Sequence, residues 1–370
     1  MNILLVEPDF PIATKSKNHC NFLPIGLLKI GSYHKLKGDK VKLVRGLKRC
    51  GFRPGRILVT SLFTYWSKYV HEAAAFYHKA YPEARIEIGG IYASLMPGDC
   101  KKRSPFARVY RGLYRKGAAE KVEIDYGLLP EKLDYQIIHS SRGCTRRCAF
   151  CGTWKIEPEF TSKESVAGEI CSRRLIFYDN NMLANPNIGN ILRELADVTC
   201  EGKVVRSESQ CGIDGRLLTK KIARLLKGAR FDNVRIAWDG GYGDAKKIKG
   251  QIDKLVGAGY SVRGIFVFMV YNYRVGFDEM ARKLAKCKEW GVQVADCRYR
   301  PLDQRFDDYS PRREQTNEDY FIHPDWTDGQ VKTFRRMVRE QNIMIRYRLK
   351  FYSREQERMG GRKKKEKLTA

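Results

Sequence analysis

Ser140-Ser141-Arg142-Gly143-Cys144-Thr145-Arg146-Arg147-Cys148-Ala149-Phe150-Cys151 is the stretch on which the reading of this chain turns. Cys144, Cys148 and Cys151 stand at C-x3-C-x2-C in a short loop after the apolar run from Tyr135 to His139. Thiolates at that spacing can converge on one soft metal centre. Three are one short of the four that close a structural zinc site or saturate a cubic iron–sulfur cluster, so such a centre keeps a position open for a ligand. A zinc loop with His139 or Cys171 as fourth ligand is the alternative that spacing leaves standing.

Outward from the loop, residues 135–301 alternate regularly. Strands are expected at Tyr135–Ser140, Arg174–Asp179, Lys203–Ser207, Asn233–Trp238, Gly264–Tyr271 and Gln293–Cys297. Helical patterns fall between them, around Lys163–Cys171, Ile188–Val198, Thr219–Ala229, Ala245–Ala258 and Phe277–Trp290. Crossovers of that length give parallel, right-handed connections and a partial (βα)6 barrel, with ligands at the C-terminal strand ends. Those ends are polar: Asp179-Asn180-Asn181, Ser207-Glu208-Ser209-Gln210, Asp239-Gly240-Gly241, Asn272, and Asp296 to Arg300. Helix caps and turns account for several of them. They do not easily account for Glu208, Gln210, Arg298 and Arg300 at one rim.

Residues 1–121 also alternate, with strand-like runs at Ile3 to Val6, Val41 to Val44, Ile57 to Phe63 and Ile86 to Ile88. Pro24 opens one helix and Val70 to Tyr81 forms another, which predicts a doubly wound, flavodoxin- or Rossmann-like α/β domain. Gly89-Gly90 would give a tight turn where backbone can approach a ligand. The acidic, proline-containing residues 122–134 read as a linker, and 302–370 as a helical, basic C-terminal extension with a disordered tail.

The chain of 370 residues carries 70 basic against 42 acidic side chains, a net charge of +28. A field of that sign concentrates polyanions, and a thermophile's charged surface would balance the signs more closely. No apolar run approaches the ~20 residues that span a bilayer, and the start lacks the basic and apolar regions of a signal peptide. Eleven cysteines in such a chain point to a reducing cytoplasm and not to a disulfide scaffold. The eight outside the motif lack a second metal spacing and are expected mostly as buried small hydrophobes.

The three cysteines, with aromatic Phe150 before the last, resemble the signature of the radical S-adenosylmethionine (radical SAM) superfamily. The resemblance implies that Cys144, Cys148 and Cys151 hold a 4Fe-4S cluster whose open iron takes S-adenosylmethionine. It further implies cofactor contacts from Asp179 and Asn180 after the second strand, and from Glu208, Gln210 and Asp239 after the third and fourth. Asn272 and the backbone near Phe150 would lie on the adenine side. An external electron donor such as flavodoxin or ferredoxin is implied as well. The first half is similar to the cobalamin-binding domain that precedes many radical SAM cores, on the opening strand, Leu23 to Leu28 and Ile88 to Tyr92. It lacks that family's Asp-x-His-x-x-Gly string, and none of the six histidines (His19, His34, His71, His78, His139, His323) sits in that context, so cobalamin is not expected.

In the extension, Lys332, Arg335, Arg336, Arg346, Tyr347, Arg348, Lys350 and Tyr352 interleave charge with aromatic rings, as phosphate contacts and base stacking require. A helix packing its apolar face on the barrel is the rival reading. The expected activity is radical modification of a polyanionic substrate, nucleic acid or nucleotide-linked. The alternatives are a radical enzyme acting on a peptide or small metabolite, and a non-enzymatic nucleic-acid-binding metal protein.

Overall fold

The computed structural model describes residues 1–12, 23–130 and 133–347. The first layer is a wholly parallel five-stranded sheet of β1 (Asn2–Glu7), β2 (Lys40–Arg45), β3 (Arg56–Ser61), β4 (Arg85–Gly90) and β5 (Arg108–Val109), in the order β2-β1-β3-β4-β5. That order is the flavodoxin-like one. Ile3, Leu4, Leu5 and Val6 are all fully buried, as a central strand covered on both faces demands. The helices are α1 (Ile25–Leu36), α2 (Ser67–Ala80), α3 (Ile91–Leu95) and α4 (Pro97–Arg103). Gly90 has φ +100°, and a Cβ there would lie 2.2 Å from the Ser61 carbonyl oxygen. The glycine pair therefore serves the close approach of two strand ends, β4 to β3.

Residues 122–130 do more than link. Leu129 enters a cluster with Leu23, Leu28, Tyr135, Ile137 and Ile176, with Tyr126 and Leu128 packed against it. A Cβ on Gly31 of α1 would meet Leu128 Cδ1 at 2.5 Å, so helix and segment are in direct contact.

The second part starts with β6 (Gln136–Ile138), and β7 (Ser141–Arg142) then pairs antiparallel with β8 (Thr161–Ser162). This small ladder pinches off the cysteine loop, which holds the one-turn helix α5 (Thr153–Ile156). Beyond it come β9 (Arg174–Phe177), α6 (Ile188–Asp197), the hairpin β10 (Thr199–Cys200) and β11 (Lys203–Val204), β12 (Arg206–Ser209), α7 (Lys220–Gly228) and β13 (Phe231–Asp232). The order closes with β14 (Arg235–Ala237), α8 (Ala245–Val256), β15 (Phe266–Tyr271), α9 (Phe277–Glu289), β16 (Gln293–Arg298) and α10 (Asp328–Tyr347). One parallel sheet runs β13-β12-β9-β6 and another β14-β15-β16, and a parallel bridge from Ile213, in the segment after β12, reaches Ile236 of β14. One buried cluster extends from Ile138 through Leu175 and Phe177 to Val267, Met269 and Val294.

Three local expectations are corrected. Lys203-Val204 forms an exposed hairpin about Glu201 and Gly202, both at positive φ, and the sheet strand starts only at Arg206. Glu208 consequently lies inside the strand and not past its end. Lys163–Cys171 is not a helix beyond the turn Ala167–Glu169, because Lys163 N–H is bound to the Ser140 carbonyl at 2.9 Å, which keeps the segment's start extended. Asn233 at φ +51° interrupts the fourth strand and separates β13 from β14.

The extension is integral to the fold as far as Tyr347, and the expected disordered tail lies outside the described residues. Thr327 Oγ1 accepts from Gln330 N–H at 3.2 Å while Gln330 Oε1 accepts from Thr327 N–H at 2.9 Å, a reciprocal cap that starts α10. Val331, Phe334 and Val338 of α10 are buried in the main core. Asn342 Oδ1 accepts from Val294 N–H at 2.8 Å and its Nδ2 donates to the Val294 carbonyl at 2.7 Å, so α10 covers the backbone of edge strand β16. Among the described residues no helix is long and apolar enough to cross a membrane.

Candidate functional site

Loop geometry comes first. Gly143 has φ +74°, and a Cβ there would stand 2.2 Å from the Glu159 carbonyl oxygen, so only glycine fits between the two limbs of the loop. Glu157 closes the base, accepting from Gly143 N–H at 3.0 Å and pairing with Arg142. Trp154 Nε1 donates to the Cys148 carbonyl at 3.1 Å. Arg146 N–H points at Cys144 Sγ at 3.4 Å and Thr153 N–H at Cys151 Sγ at 3.5 Å. Amide hydrogen bonds to sulfur stabilise thiolates in metal and cluster sites. Burial pushes the Cys148 thiol up, with Arg146 opposing and Asp239 adding to the rise.

The three sulfurs are all partly exposed. Among the described residues no three His, Cys, Asp or Glu side chains converge as a site for a single ion. His139 is buried, with Nε2 3.0 Å from Arg142 Nη1, and Cys171 is exposed.

The structure assigns unequal surroundings to the strand-end residues. Asp179 is fully buried and accepts from Ser140 N–H at 3.0 and 3.1 Å, from Ser140 Oγ at 2.6 Å and from Ser141 Oγ at 2.7 Å. Burial pushes its carboxyl up and the serine donors push it down. These bonds hold the root of the cysteine loop. Asn180 is exposed, 3.3 Å from Thr153 Oγ1, which also bonds Cys151 Sγ. Glu208 is buried and paired with Arg235, whose Nη1 also donates to the Ser209 carbonyl at 2.8 Å. Gln210 Oε1 and Asn181 Oδ1 are buried acceptors without a hydrogen-bond partner among the described residues. Such groups are costly unless something donates to them.

Asp239 is half-buried, its carboxyl pushed up by burial and held back by Arg146 and Lys283. Asn272 is fully buried at φ +57°, with Nδ2 donating to the Phe321 carbonyl at 2.8 Å and Oδ1 accepting from His323 N–H at 2.9 Å. It ties the segment after β16 to the end of β15. Phe150 meets Tyr273 edge-on at 6.0 Å, and Tyr273 meets Tyr299 at 4.3 Å. Arg298 and Arg300 both bind Asp307, which explains their place at the rim by packing.

Reading by strand order missed Lys283, fully buried on α9. Its Nζ donates to the carbonyls of Trp238 and Gly240 at 2.8 Å each, and burial pushes its pKa down to about 8. Lys283 fixes the turn that carries Asp239. A signal existed, because Lys283 shares the apolar stripe of Met280, Leu284 and Cys287. Arg235 went unnoticed too. Of the described cysteines outside the motif, Cys100 and Cys287 are buried, Cys50 and Cys200 are half-buried, and Cys171, Cys211 and Cys297 are exposed; Cys20 lies outside the described residues. The expectation of buried small hydrophobes holds for the minority.

On α10, Lys332 pairs with Asp328, Arg335 lies over the Tyr309 ring at 5.3 Å, and Arg346 Nη2 reaches Gln293 Oε1 at 3.2 Å. Arg336 and Tyr347 are exposed. Arg348, Lys350 and Tyr352 lie outside the described residues. Most of the helix's nominated cations thus have partners within the fold.

No family model matches this sequence, and no curated protein matches it. Solved structures do. A radical S-adenosylmethionine methyltransferase, TsrM, from Kitasatospora setae with cobalamin and a [4Fe-4S] cluster bound is similar over 82% of this chain and 77% of its own, with a TM-score of 0.60 and 12% identity. The same enzyme with tryptophan and a SAM analogue bound gives 0.58 and 12% identity, covering 82% and 75% of the two chains. The cobalamin-dependent S-adenosylmethionine radical enzyme OxsB gives 0.51 and 13%, covering 77% of this chain and 51% of its own. The likeness is one of fold. It extends across both halves of the chain.

Proposed function

We propose that this chain is a radical SAM enzyme acting on a polyanionic substrate, nucleic acid or nucleotide-linked. The observation that carries the chemistry is the Cys144, Cys148 and Cys151 loop, with amides directed at two of its sulfurs. The fold shared with TsrM and OxsB supports it. When bound, a 4Fe-4S cluster supplies the electron that cleaves the sulfonium of S-adenosylmethionine to a 5′-deoxyadenosyl radical. The three cysteines would hold that cluster, and Arg146, whose charge opposes the rise of the Cys148 thiol, would offset its negative charge. The bare acceptors Gln210 Oε1 and Asn181 Oδ1 suit the ammonium group of S-adenosylmethionine, and Asn180 and Asp239 stand ready as further contacts. Phe150, Tyr273 and Tyr299 would exclude water on one side. Flavodoxin or ferredoxin would deliver the electron.

We assign residues 1–121 to a cobalamin-domain-like unit, 135–301 to a partial barrel in which the two sheets form one curved wall, and 302–370 to an extension. Cobalamin does not fit this reading. Beyond the absent Asp-x-His-x-x-Gly string, the C-terminal edge of the first sheet meets the chain itself: Arg300 lies over Tyr65 at 4.8 Å, and Arg305 pairs with Asp99 at 3.2 Å. His71 is engaged at both ring nitrogens, by Ser104 Oγ at 2.7 Å and Tyr92 OH at 2.8 Å.

Anaerobic reconstitution tests the core of the proposal. The protein should bind about four irons and form 5′-deoxyadenosine from S-adenosylmethionine. Cys144→Ala, Cys148→Ala and Cys151→Ala should each abolish that product. Stoichiometric zinc without iron in native protein, with product formation undiminished in all three variants, would overturn it. Protein from cobalamin-fed cells should carry no stoichiometric corrinoid absorption.

A further inference from the structure

The edge of the first sheet opposite the cysteine loop carries a second feature that the proposed chemistry does not use. Arg56, Arg85 and Arg108 are the first residues of the adjacent parallel strands β3, β4 and β5, and Arg56 lies directly across from Arg85. Neighbouring strands are about 4.8 Å apart, so the strand starts set a row of guanidinium groups. The loop's own neighbours sit at the other edge: Gly152 packs against Leu95, just past the C-terminal end of β4.

Two adjoining concavities open along this N-terminal edge. One, of about 330 Å³, is lined by Arg56, Arg85, Arg108, Arg115, Tyr110 and Tyr114 together with a single acid, Glu87. The other, of about 550 Å³, shares Arg85 and Arg108 and adds Lys101, His78 and Phe106, with no acid. Glu87 is taken by Arg56 at 2.9 Å. Among the described residues Arg85, Arg108 and Arg115 have no carboxylate partner, and Arg56 Nε is buried without a hydrogen bond. The His78 ring is stacked on Phe106 with centroids 4.2 Å apart and planes 3° apart, and Phe106 is 39% exposed.

We propose that this groove binds the sugar–phosphate backbone of single-stranded nucleic acid. The proposal rests on the polyanion part of the proposed function and not on its radical chemistry. Unpaired guanidinium groups in a trough, beside an exposed aromatic pair, form the combination that tracks a single strand: cations along phosphates, a ring for a base. One mononucleotide would occupy one concavity. The continuity of two, joined through Arg85 and Arg108, favours a chain of phosphates. A net charge of +28 draws such a chain to the protein.

Titration of a fluorescein-labelled oligouridine strand by anisotropy, between about 50 and 200 mM salt, tests the groove. Arg85→Ala and Arg108→Ala should each flatten the log–log salt slope by about 0.7, the value for one lost phosphate contact on a single strand. The double variant Arg85→Glu/Arg108→Glu should weaken binding roughly tenfold or more at the lower salt. Phe106→Ala should weaken binding with the slope unchanged, because stacking releases few counterions. Thermal melts of each variant show that the fold is retained. Wild-type affinity and slope in the double variant would overturn the proposal. So would ATP or inorganic triphosphate displacing the strand at equal phosphate concentration, which would make the groove a small-nucleotide site. Cys144→Ala measured in parallel keeps the two readings apart. It should lose 5′-deoxyadenosine formation and bind the strand as the native protein does, while the arginine variants should do the reverse.

Discussion

The Asp179 carboxylate grips Ser140, its Oδ2 and Oδ1 receiving the backbone N–H at 3.0 and 3.1 Å and its Oδ1 receiving the hydroxyl at 2.6 Å. A fully buried carboxylate so satisfied fixes the point where the chain leaves β6 for the cysteine loop. Asp179→Ala strands the serine donors in the interior and should cost about 1–3 kcal/mol. Urea denaturation measures that loss. Iron bound after anaerobic reconstitution should fall with it. Unchanged iron content in a destabilised Asp179→Ala protein would show that the loop root does not govern the cysteines.

Gly143→Ala should be worse for the loop than for the fold. The positive φ costs an L-residue about 1–2 kcal/mol, and the Cβ, 2.2 Å from the Glu159 carbonyl oxygen, forces the limbs apart. Iron stoichiometry should drop severalfold while the melting temperature falls by only a few degrees. Iron analysis beside a thermal melt separates the two.

The buried pair Glu208 and Arg235 should behave non-additively. Glu208→Gln or Arg235→Met alone leaves one charge uncompensated and should cost about 3–5 kcal/mol. The double variant should recover a substantial part of that, read as a coupling energy in a double-mutant cycle by urea denaturation. Additive single costs would mean that the two groups do not act as a pair.

Stability should decline in mild acid through His71. Burial lowers its folded pKa from 6.5 to about 4, so the unfolded chain binds the extra proton first. The contribution is full above about pH 6.5 and is lost as the pH falls toward 4. With partial solvent screening the loss should be on the order of 1–2 kcal/mol. Burial lowers His34 and His139 in the same direction, so His71→Gln should remove only a share of the slope between pH 7 and pH 5.

Asn342→Ala should bare the N–H and carbonyl of Val294 on an edge strand. A loss of about 1–3 kcal/mol is expected, together with concentration-dependent association detectable by light scattering.

Much of the parallel architecture was legible because buried strands read as apolar runs. Ile3 to Val6 and Leu175 to Phe177 could hardly be anything else. The cysteine loop was legible from spacing. What escaped was direction and partnership. Asp179 and Asn272 have the residue types of ligand contacts, yet both bind groups far away in sequence, which no local pattern announces. The strand at Arg206 was placed three residues early, because Val204 and Val205 look equally like core while only Val205 is buried. Arg298 and Arg300 have the character of rim chemistry in sequence, and both are paired with Asp307.

The cover that α10 lays over β16 has a consequence for biosynthesis. A chain emerges from its N-terminus, and all three parallel sheets and the cysteine loop lie before residue 299. Asn342, which satisfies Val294, arrives more than forty residues after the strand it protects. Between those moments β16 is a naked template for pairing with any neighbouring chain on the same message. The nascent protein is thus exposed to misassembly from the emergence of β16 until residues 328–347 follow it, and a chaperone that shelters the strand over that interval would raise the yield.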